Sequence, residues 1–299
     1  MNTLHVPVMP KEVIQLLAVR QDGLYLDGTA GLGGHSELLL KAGSRVICLD
    51  RDASALERCR ERVECFGDQV SFVHSNFRDY LVDCSEELDG ILLDLGVSSM
   101  QLDTSERGFS YRHEAPLDMR MDRGQSLTAA EVVNEWNYRR LVRLLYDYGE
   151  ERYAPKLAQG ITAARPLETT TQLCEVILES MPAKGRREAQ HPARRTFQAI
   201  RIAVNGELDA IEEALPAAIK CLRPGGRLGV ISFHSLEDRL VKRAFAEAAK
   251  GCTCPPSFPA CACGKVPDVK ILGRFKPDAE EVEENPRSAS AVLRVVEKL

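Results

Sequence analysis

A chain of 299 residues, 44% of them hydrophobic and with a formal net charge of −5, is long enough for one large domain or two ordinary ones, each with a real core. This composition excludes disordered, collagen-like and miniature proteins. No apolar run approaches the roughly 18 residues that span a membrane, and the N-terminus lacks the basic start of a secretory signal, so we expect a cytoplasmic protein without a transmembrane helix. The excess of acids also argues against nucleic-acid binding, unless a local basic patch outweighs it.

The first hundred residues alternate strand-like and helix-like patterns. Short apolar runs predict four strands, at 23–27, 45–50, 70–73 and 90–94. Helices are predicted from Ser36 onwards and over 53–65. Because these apolar runs do not alternate with polar residues, they indicate a parallel sheet that is covered by helices on both faces. The predicted fold class is α/β, with a doubly wound sheet.

From about 106 to about 205 the strand-like runs vanish, and apolar residues recur at every third or fourth position. The longest of these patterns predicts one helix with the apolar seam Phe197, Ile200, Val204, Leu208, Ile211 and Leu215. Strand character returns at 226–233, 269–272 and 291–296, and the acidic run 278–284 is expected to be a solvated surface segment. We therefore predict that residues 1–105 and 206–299 form the α/β domain and that residues 106–205 form an inserted helical domain.

A glycine-rich turn follows the first predicted strand. It reads Asp-Gly-Thr-Ala-Gly-Leu-Gly-Gly-His over 27–35. Glycines in such a turn let backbone N–H groups at the start of the next helix approach a ligand closely. The fingerprint of a dinucleotide site is incomplete, because Ser36 stands where the third glycine is expected. The alternative to a ligand site is that these glycines form a tight turn with a structural role only. His35 is explained equally well as a ligand contact or as a polar residue of the first helical turn.

Asp50 ends the second predicted strand, and Phe77 follows the third. Asp50 lies 19 residues beyond Gly31, where an acid can accept hydrogen bonds from the hydroxyls of a ribose. An adenosine-containing ligand is therefore expected, although Asp50 could instead cap the following helix. Phe77 could stack on a purine, with a place in the hydrophobic core as its alternative.

Asp94 ends the fourth predicted strand and is followed by Leu-Gly-Val-Ser-Ser. Active sites of open α/β sheets lie at this carboxyl edge. An acid before a turn of small residues resembles the loop of enzymes that methylate exocyclic amines of nucleobases. Such an amine is a poor nucleophile, because its lone pair is delocalised into the ring. Oxygen atoms that accept its two N–H groups would favour a pyramidal and more nucleophilic nitrogen.

Seven longer blocks carry a more specific resemblance. They are Asp-Gly-Thr-Ala-Gly-Leu-Gly-Gly-His-Ser (27–36), Ile-Leu-Leu-Asp-Leu-Gly-Val-Ser-Ser (91–99), Arg-Gly-Phe-Ser (107–110), Pro-Leu-Asp-Met-Arg-Met-Asp (116–122), Arg-Thr-Phe-Gln-Ala-Ile-Arg-Ile (195–202), Ile-Ser-Phe-His-Ser-Leu-Glu-Asp-Arg (231–239) and Glu-Asn-Pro-Arg-Ser (284–288). In this order they resemble the bacterial family that methylates N4 of a decoding-centre cytosine in small-subunit ribosomal RNA. The blocks span nearly the whole chain.

The resemblance implies a class I methyltransferase fold with S-adenosylmethionine as methyl donor, and a helical domain inserted after the fourth strand. Asp94, from its place at the carboxyl edge and the turn after it, is the expected catalytic residue. The resemblance places cofactor contacts at Gly33, Gly34, His35, Asp50, Phe77, Asp94 and Gln101. Gly34 and Gln101 come from the resemblance alone. The implied partner is 16S ribosomal RNA or the small ribosomal subunit. The oligomeric state is left open, with a homodimer as one possibility.

A local excess of arginine lies in the predicted insertion. Between 184 and 195, four arginines and a lysine stand against one acid, and the candidates for RNA binding are Arg186, Arg187, Arg194 and Arg195. Such side chains would contact phosphates and position an RNA without reading its sequence. A solvated loop is the alternative. Phe109 and Tyr111 are candidates for stacking on a base that has been splayed out of its helix.

Four of the ten cysteines fall in one short segment, as Cys252, Cys254, Cys261 and Cys263. Four thiolates could bind a structural zinc ion, although Cys-x-Cys is a less typical spacing than Cys-x2-Cys. Reduced surface cysteines are the alternative, so the presence of a metal is left unknown.

The leading hypothesis is an S-adenosylmethionine-dependent cytosine-N4 methyltransferase that acts on ribosomal RNA. The alternative hypothesis of a non-catalytic RNA-binding assembly factor requires only the arginines, which would bind the RNA. A dinucleotide-dependent oxidoreductase is a weaker rival, because the third glycine of its fingerprint is missing.

Overall fold

The structure is a computed structural model of the chain, and it describes residues 7–187, 191–252, 254 and 263–299. Within these residues the chain forms two compact units. The first comprises Met1–Gly96 and Leu208–Leu299, and the second comprises Val97–Glu207. The insertion therefore begins at Val97 instead of residue 106 and ends at Glu207 instead of residue 205.

The first unit contains a seven-stranded sheet. Its strands are β1 (Leu24–Asp27), β2 (Arg45–Asp50), β3 (Val70–His74), β4 (Leu88–Asp94), β5 (Leu222–Ser232), β6 (Val269–Phe275) and β7 (Val292–Lys298). They lie in the order β3-β2-β1-β4-β5-β7-β6. The first five strands are parallel, and β7 pairs antiparallel with both β5 and β6. The predicted α/β class and the predicted strands are confirmed, with boundaries shifted by a few residues.

Helices cover both faces of this sheet. In the first unit they are α1 (Pro10–Leu16), α2 (Gly34–Lys41), α3 (Ala53–Val63) and α4 (Phe77–Val82), followed after the insertion by α12 (Glu207–Cys221), α13 (Ser235–Ala248) and α14 (Ala279–Glu284). Successive residues of β2 contribute to different cores: Val46 and Cys48 pack with α1, α2 and α3, whereas Ile47 and Leu49 pack with α4, α12 and α13. This alternation makes the sheet doubly wound and explains why its strands are apolar throughout.

The second unit is helical and has a core of its own. Its helices are α5 (Ser99–Asp103), α6 (Ala129–Glu135), α7 (Tyr138–Asp147), α8 (Ala154–Ala163), α9 (Thr170–Ser180), α10 (Ala183–Arg186) and α11 (Ala193–Asn205). A short 3-10 turn occurs in this unit at Ser105–Arg107, and two others occur in the first unit at Glu64–Gln69 and Pro286–Ser290. The core contains, among others, Leu141, Leu157, Leu173, Ile177 and Phe197.

The prediction of one helix with a seam from Phe197 to Leu215 is wrong. Gly206 adopts a left-handed conformation, with φ of 57°, and ends α11 before α12 begins. Glycine reaches this conformation without the steric cost that a Cβ atom brings, and is for that reason common just after a helix. The seam is consequently divided: Phe197, Ile200 and Val204 belong to the core of the second unit, and Leu208, Ile211 and Leu215 to that of the first.

A buried polar network joins two of the sequence blocks, 107–110 and 116–122, to each other and to Asn205 within the second unit. The side chain of Asn205 accepts a hydrogen bond from Met121 N at 2.8 Å and donates one to Met119 O at 2.8 Å. The guanidinium of Arg107, 5% exposed, donates to the carbonyls of Arg120 and Met121, both at 2.9 Å. These bonds satisfy backbone groups in a segment without regular secondary structure, which would otherwise carry a desolvation cost.

Candidate functional site

The carboxyl ends of five parallel strands meet at one edge of the sheet in the first unit. In spatial order they are His74 of β3, Asp50 of β2, Asp27 of β1, Asp94 of β4 and Ser232 of β5. Three of these five residues are carboxylic acids. In open α/β sheets, ligands bind outside this edge, where the direction of strand order reverses. The predicted site residues on the first unit lie at the ends of these strands, or in the turns and first helical turns that follow them.

The glycine-rich turn connects β1 to α2. Gly33 has φ of 77° and is the residue before the first turn of α2. A Cβ atom on Gly33 would lie 3.0 Å from Cys59 Sγ, and one on Gly34 would lie 3.2 Å from Pro7 Cβ. Both positions therefore leave little room for a side chain, as expected where backbone has to come close to its surroundings.

Asp27 anchors the base of this turn. It is 1% exposed, and its Oδ2 accepts a hydrogen bond of 2.6 Å from Ser36 Oγ. Burial raises the pKa of the Asp27 carboxyl, an effect that the neighbouring His35 and the Ser36 hydroxyl oppose. Ser36, which interrupts the dinucleotide fingerprint, thus has a structural function that a glycine could not perform.

Asp50 holds the glycine-rich turn from the side of β2. Its Oδ2 accepts from Gly31 N at 2.8 Å, and its Oδ1 accepts from Asp52 N at 2.8 Å. Burial raises the pKa of Asp50 from 3.8 to about 6, although both backbone N–H groups act in the opposite direction. The alternative that Asp50 caps the next helix is wrong, because Asp52 caps α3 by accepting from Ser54 N at 3.1 Å.

His35 and Asp94 form the most polar part of this edge. His35 Nε2 lies 3.6 Å from Asp94 Oδ2, with the His35 side chain 6% and the Asp94 side chain 22% exposed. Within the described residues, neither ring nitrogen of His35 nor Asp94 Oδ1 has a hydrogen-bond partner, although all three atoms are buried. An unsatisfied buried polar atom costs about 1–3 kcal/mol, so native proteins retain one mainly where it serves catalysis or binds water or an ion.

The Asp94 turn is held by residues that the sequence analysis did not single out. Asp94 N donates to Thr29 Oγ1 at 2.6 Å, and Leu95 N donates to Ile231 O at 2.9 Å. Gly96, with φ of 93°, lies beside Phe233, since a Cβ atom there would be 3.5 Å from the ring. The places of β1 and β5 on either side of β4 in the sheet identify Thr29 and Phe233, which the spacing along the chain does not.

His234 follows β5 and begins α13. Its Nδ1 accepts from Glu237 N at 3.4 Å, and Glu237 Oε2 in turn accepts from His234 N at 3.3 Å and from Phe233 N at 2.8 Å. This capping box gives His-Ser-Leu-Glu, a block noted for its resemblance alone, a local structural role at the same edge.

Phe77 is half-buried and is the first residue of α4, directly after β3. A Cβ atom on Gly28 would lie 3.4 Å from Phe77 Cβ, so Phe77 begins next to the glycine-rich turn. The side chain also packs against the core beneath the sheet. Both interpretations of Phe77, a core residue and a wall of the site, therefore agree with its position.

Gln101 is in the second unit. It is 4% exposed, and with Ser98 it forms the capping box of α5: Ser98 N donates to Gln101 Oε1 at 3.2 Å, and Gln101 N donates to Ser98 Oγ at 3.2 Å. The structure thus assigns Gln101 a role in ending the turn after Asp94, and its contact with a cofactor stays a prediction.

The predicted RNA-binding arginines lie around the start of α11. Arg186, Arg187 and Arg194 are exposed, Arg195 is half-buried, and residues 188–190 are outside the described part of the chain. Phe109 is 7% exposed and belongs to the core of the second unit, which leaves little of its ring accessible to a base. Tyr111 instead stacks on His191, with ring centroids 4.5 Å apart and planes 12° from parallel.

Of the four clustered cysteines, the structure describes Cys252, Cys254 and Cys263, whose sulfur atoms all lie within 4.8 Å of one another. Cys261 lies outside the described residues. Among those residues, no helix is long and apolar enough to cross a membrane.

Comparison with known proteins identifies close relatives over the full length. The chain is 53% identical to the protein named ribosomal RNA small subunit methyltransferase H of Symbiobacterium thermophilum, over 99% of this chain and 96% of that protein. It is 55% identical to the protein of the same name from Heliobacterium mobile, over 99% of both chains. The sequence profile of the MraW methylase family matches residues 2–299. With its doubly wound sheet and the acidic residues at the carboxyl edge, the chain belongs to the MraW methylase family.

Proposed function

We propose that this protein transfers a methyl group from S-adenosylmethionine to N4 of a cytosine in 16S ribosomal RNA. The membership in a methylase family and the names of the relatives support the reaction and the RNA. The structural observation that carries the proposal is the Asp94 carboxylate, which ends β4 with a buried oxygen directed at no protein donor in the described residues.

The residues at the sheet edge fit the methyl donor. The unpartnered ring nitrogens of His35 can bind its polar amino-acid end, and the backbone of the glycine-rich turn can approach it without interference from side chains at Gly33 and Gly34. We assign Asp50 to the ribose hydroxyls, since the end of β2 is where such an acid binds them. Phe77, beside the glycine-rich turn, would contact the adenine. When bound, S-adenosylmethionine supplies an electrophilic methyl group on a sulfonium.

Asp94 would activate the amine. Its carboxylate can accept one N–H of the exocyclic amino group, and a backbone carbonyl of the turn after it can accept the other. Both hydrogen bonds pull electron density toward nitrogen and favour the pyramidal form with a localised lone pair. Once nitrogen has gained the methyl group it is cationic, and Asp94 can then accept the proton that it loses.

We assign recognition of the RNA to the helical second unit. The exposed arginines Arg186, Arg187 and Arg194, with Arg195 next to them, present positive charge in a chain with a net charge of −5. Phosphates of a single-stranded or looped RNA would bind to these side chains. The partner is then 16S ribosomal RNA, free or within the small subunit, and the protein works in the cytoplasm.

Transfer of labelled methyl groups tests the proposal. The purified protein is incubated with labelled S-adenosylmethionine and either 16S RNA or small subunits from a strain that lacks it, and mass mapping identifies the product. We expect N4-methylcytidine. RNA binding without transfer would support the assembly factor, and binding of a nicotinamide dinucleotide with no methyl transfer would support the oxidoreductase.

The Asp94→Ala variant tests the role of the carboxylate. We expect turnover to fall by about 100-fold or more, since removal of one positioned electrostatic partner commonly costs that much. Circular dichroism should be unchanged. Asp83→Ala removes an exposed acid from the same unit and should keep full turnover. Near-normal turnover of Asp94→Ala would refute the mechanism without refuting the methyl transfer.

A further inference from the structure

The connection between α13 and β6 is long and has no regular secondary structure among its described residues. Its two ends are held together: Asp268 N donates to Ala248 O at 2.8 Å, and Lys265 Nζ lies 2.9 Å from Glu247 Oε1. Connections of this length in a compact unit usually have a function or an additional constraint.

Three thiols come together inside this connection. Cys252 and Cys254 lie just after α13, and Cys263 lies before β6. Their sulfur atoms are all within 4.8 Å of one another, and Cys252 Sγ is 3.8 Å from Cys263 Sγ. A disulfide needs about 2.05 Å, so this separation is not that of a bonded pair.

The separation instead matches that of two ligands on one metal ion. Zinc–sulfur bonds of about 2.3 Å in a tetrahedral site place neighbouring sulfur atoms about 3.8 Å apart. In addition, Cys254 N points at Cys252 Sγ at 3.4 Å. A backbone N–H directed at sulfur stabilises the negative charge of a thiolate ligand, as hydrogen bonds around metal ligands do generally.

We propose that Cys252, Cys254 and Cys263 bind one zinc ion, which cross-links the two ends of this connection. Thiolates are soft ligands, which favour zinc over magnesium or calcium. Each thiol that coordinates gives up its proton, and a further donor completes the four ligands of the ion. Cys252 and Cys263 are exposed at the surface, so the metal supplies the constraint that burial does not.

Metal content of the full-length protein tests this directly. The protein, purified without chelators after growth with zinc, should contain about one zinc ion per chain, as a single tetrahedral site requires. Exchange with cobalt should produce thiolate-to-cobalt absorption in the near ultraviolet and intense visible bands. Both readouts are independent of methyl transfer, so they can fail while the proposed function stands.

Two variants and one control give the test its specificity. Cys252→Ser and Cys263→Ser should each lower the zinc content at least fivefold, whereas Cys65→Ser, an exposed cysteine of the same unit, should leave it unchanged. Circular dichroism and binding of S-adenosylmethionine establish that each variant is folded. If a variant does not fold, chelation of the wild-type protein gives the same comparison. Wild-type protein without zinc or a cobalt spectrum, or with a disulfide between Cys252 and Cys263, overturns the proposal.

Discussion

At the scale of a single residue, Asp50 makes the affinity of the proposed cofactor site depend on pH. Its pKa is raised to about 6 because the carboxyl is buried. Hydroxyl donors of a ribose bind the ionised form better than the protonated form. We expect the affinity for S-adenosylmethionine to be constant above pH 7 and about tenfold weaker at pH 5, where about a tenth of the carboxyl is ionised. Titration calorimetry across this range measures the effect and should detect proton release on binding near pH 6.

The matched variants for this prediction are Asp50→Asn and Asp68→Asn. Asp50→Asn should bind more weakly at pH 7 and lose most of the dependence on pH, which separates Asp50 from Asp27 and His35 nearby. Asp68 is exposed, and its replacement should leave the wild-type curve. Equal pH dependence in all three proteins would show that another group titrates.

The same shift has the opposite consequence for the ligand-free protein. A carboxyl whose pKa is higher in the folded than in the unfolded state contributes most to stability below the unfolded value, here 3.8. That contribution is lost as pH rises through about 6. The Asp50 carboxyl is therefore ionised at neutral pH at some cost in the free energy of unfolding, and binding of a ligand can offset this cost.

At the scale of elements, the junction of α11 and α12 depends on Gly206. A Cβ atom there would meet no other atom within 4 Å, so the effect of a substitution comes from the backbone alone. We expect Gly206→Ala to lower the free energy of unfolding by about 1 kcal/mol, because φ of 57° is unfavourable for alanine. Chemical denaturation measures the change.

Asparagine is the matched control at this position, since it tolerates the left-handed conformation better than alanine does. Gly206→Asn should lie between wild type and Gly206→Ala in stability. Equal stability of all three proteins would mean that the junction straightens into one helix, as the apolar seam alone predicts.

The basic segment at the start of α11 is the second element with a measurable effect. Changing Arg186 and Arg187 together to glutamine should weaken RNA binding and lower the slope of log affinity against log salt by about 1.4, since each contact with single-stranded RNA contributes about 0.7. Binding of S-adenosylmethionine should not change. Fluorescence anisotropy with an RNA fragment at several salt concentrations measures the slope.

A charge-matched control removes Arg45 and Arg58, both exposed on the first unit. If this pair lowers the salt slope as much as the Arg186 and Arg187 pair does, the effect reflects total charge and the RNA does not bind at the proposed segment.

At the scale of the whole molecule, the two units have separate hydrophobic cores. We expect S-adenosylmethionine to protect the carboxyl edge of the first unit from hydrogen exchange, with peptides covering 27–35 and 48–52 slowed about tenfold or more at saturating ligand. Peptides from α7 and α9 in the second unit should keep their exchange rates. Mass spectrometry of the full-length protein measures both, and uniform protection of the two units would contradict the assignment of the cofactor site.

Several parts of this structure follow from the sequence alone. The α/β class, the strands and the glycine-rich turn are local properties, because hydrophobic periodicity and glycine positions act over a few residues. Asp50 and Asp94 could be selected for the same reason: each directly follows a buried strand. The extent of the insertion was predicted less well, since the seam from Phe197 to Leu215 has one periodicity on both sides of Gly206.

Only the tertiary structure decided which loops meet. The order β3-β2-β1-β4-β5 brings Thr29 to Asp94 and Phe233 to Gly96, and no spacing along the chain contains that order. It also showed that Asp52, and not Asp50, caps α3, and that three cysteines from the two ends of one connection come together. The physical reason is the same in each case. Hydrogen bonds and packing between distant segments select one partner segment among many. The sequence pattern indicates only which segments have an apolar face that must pack against another segment.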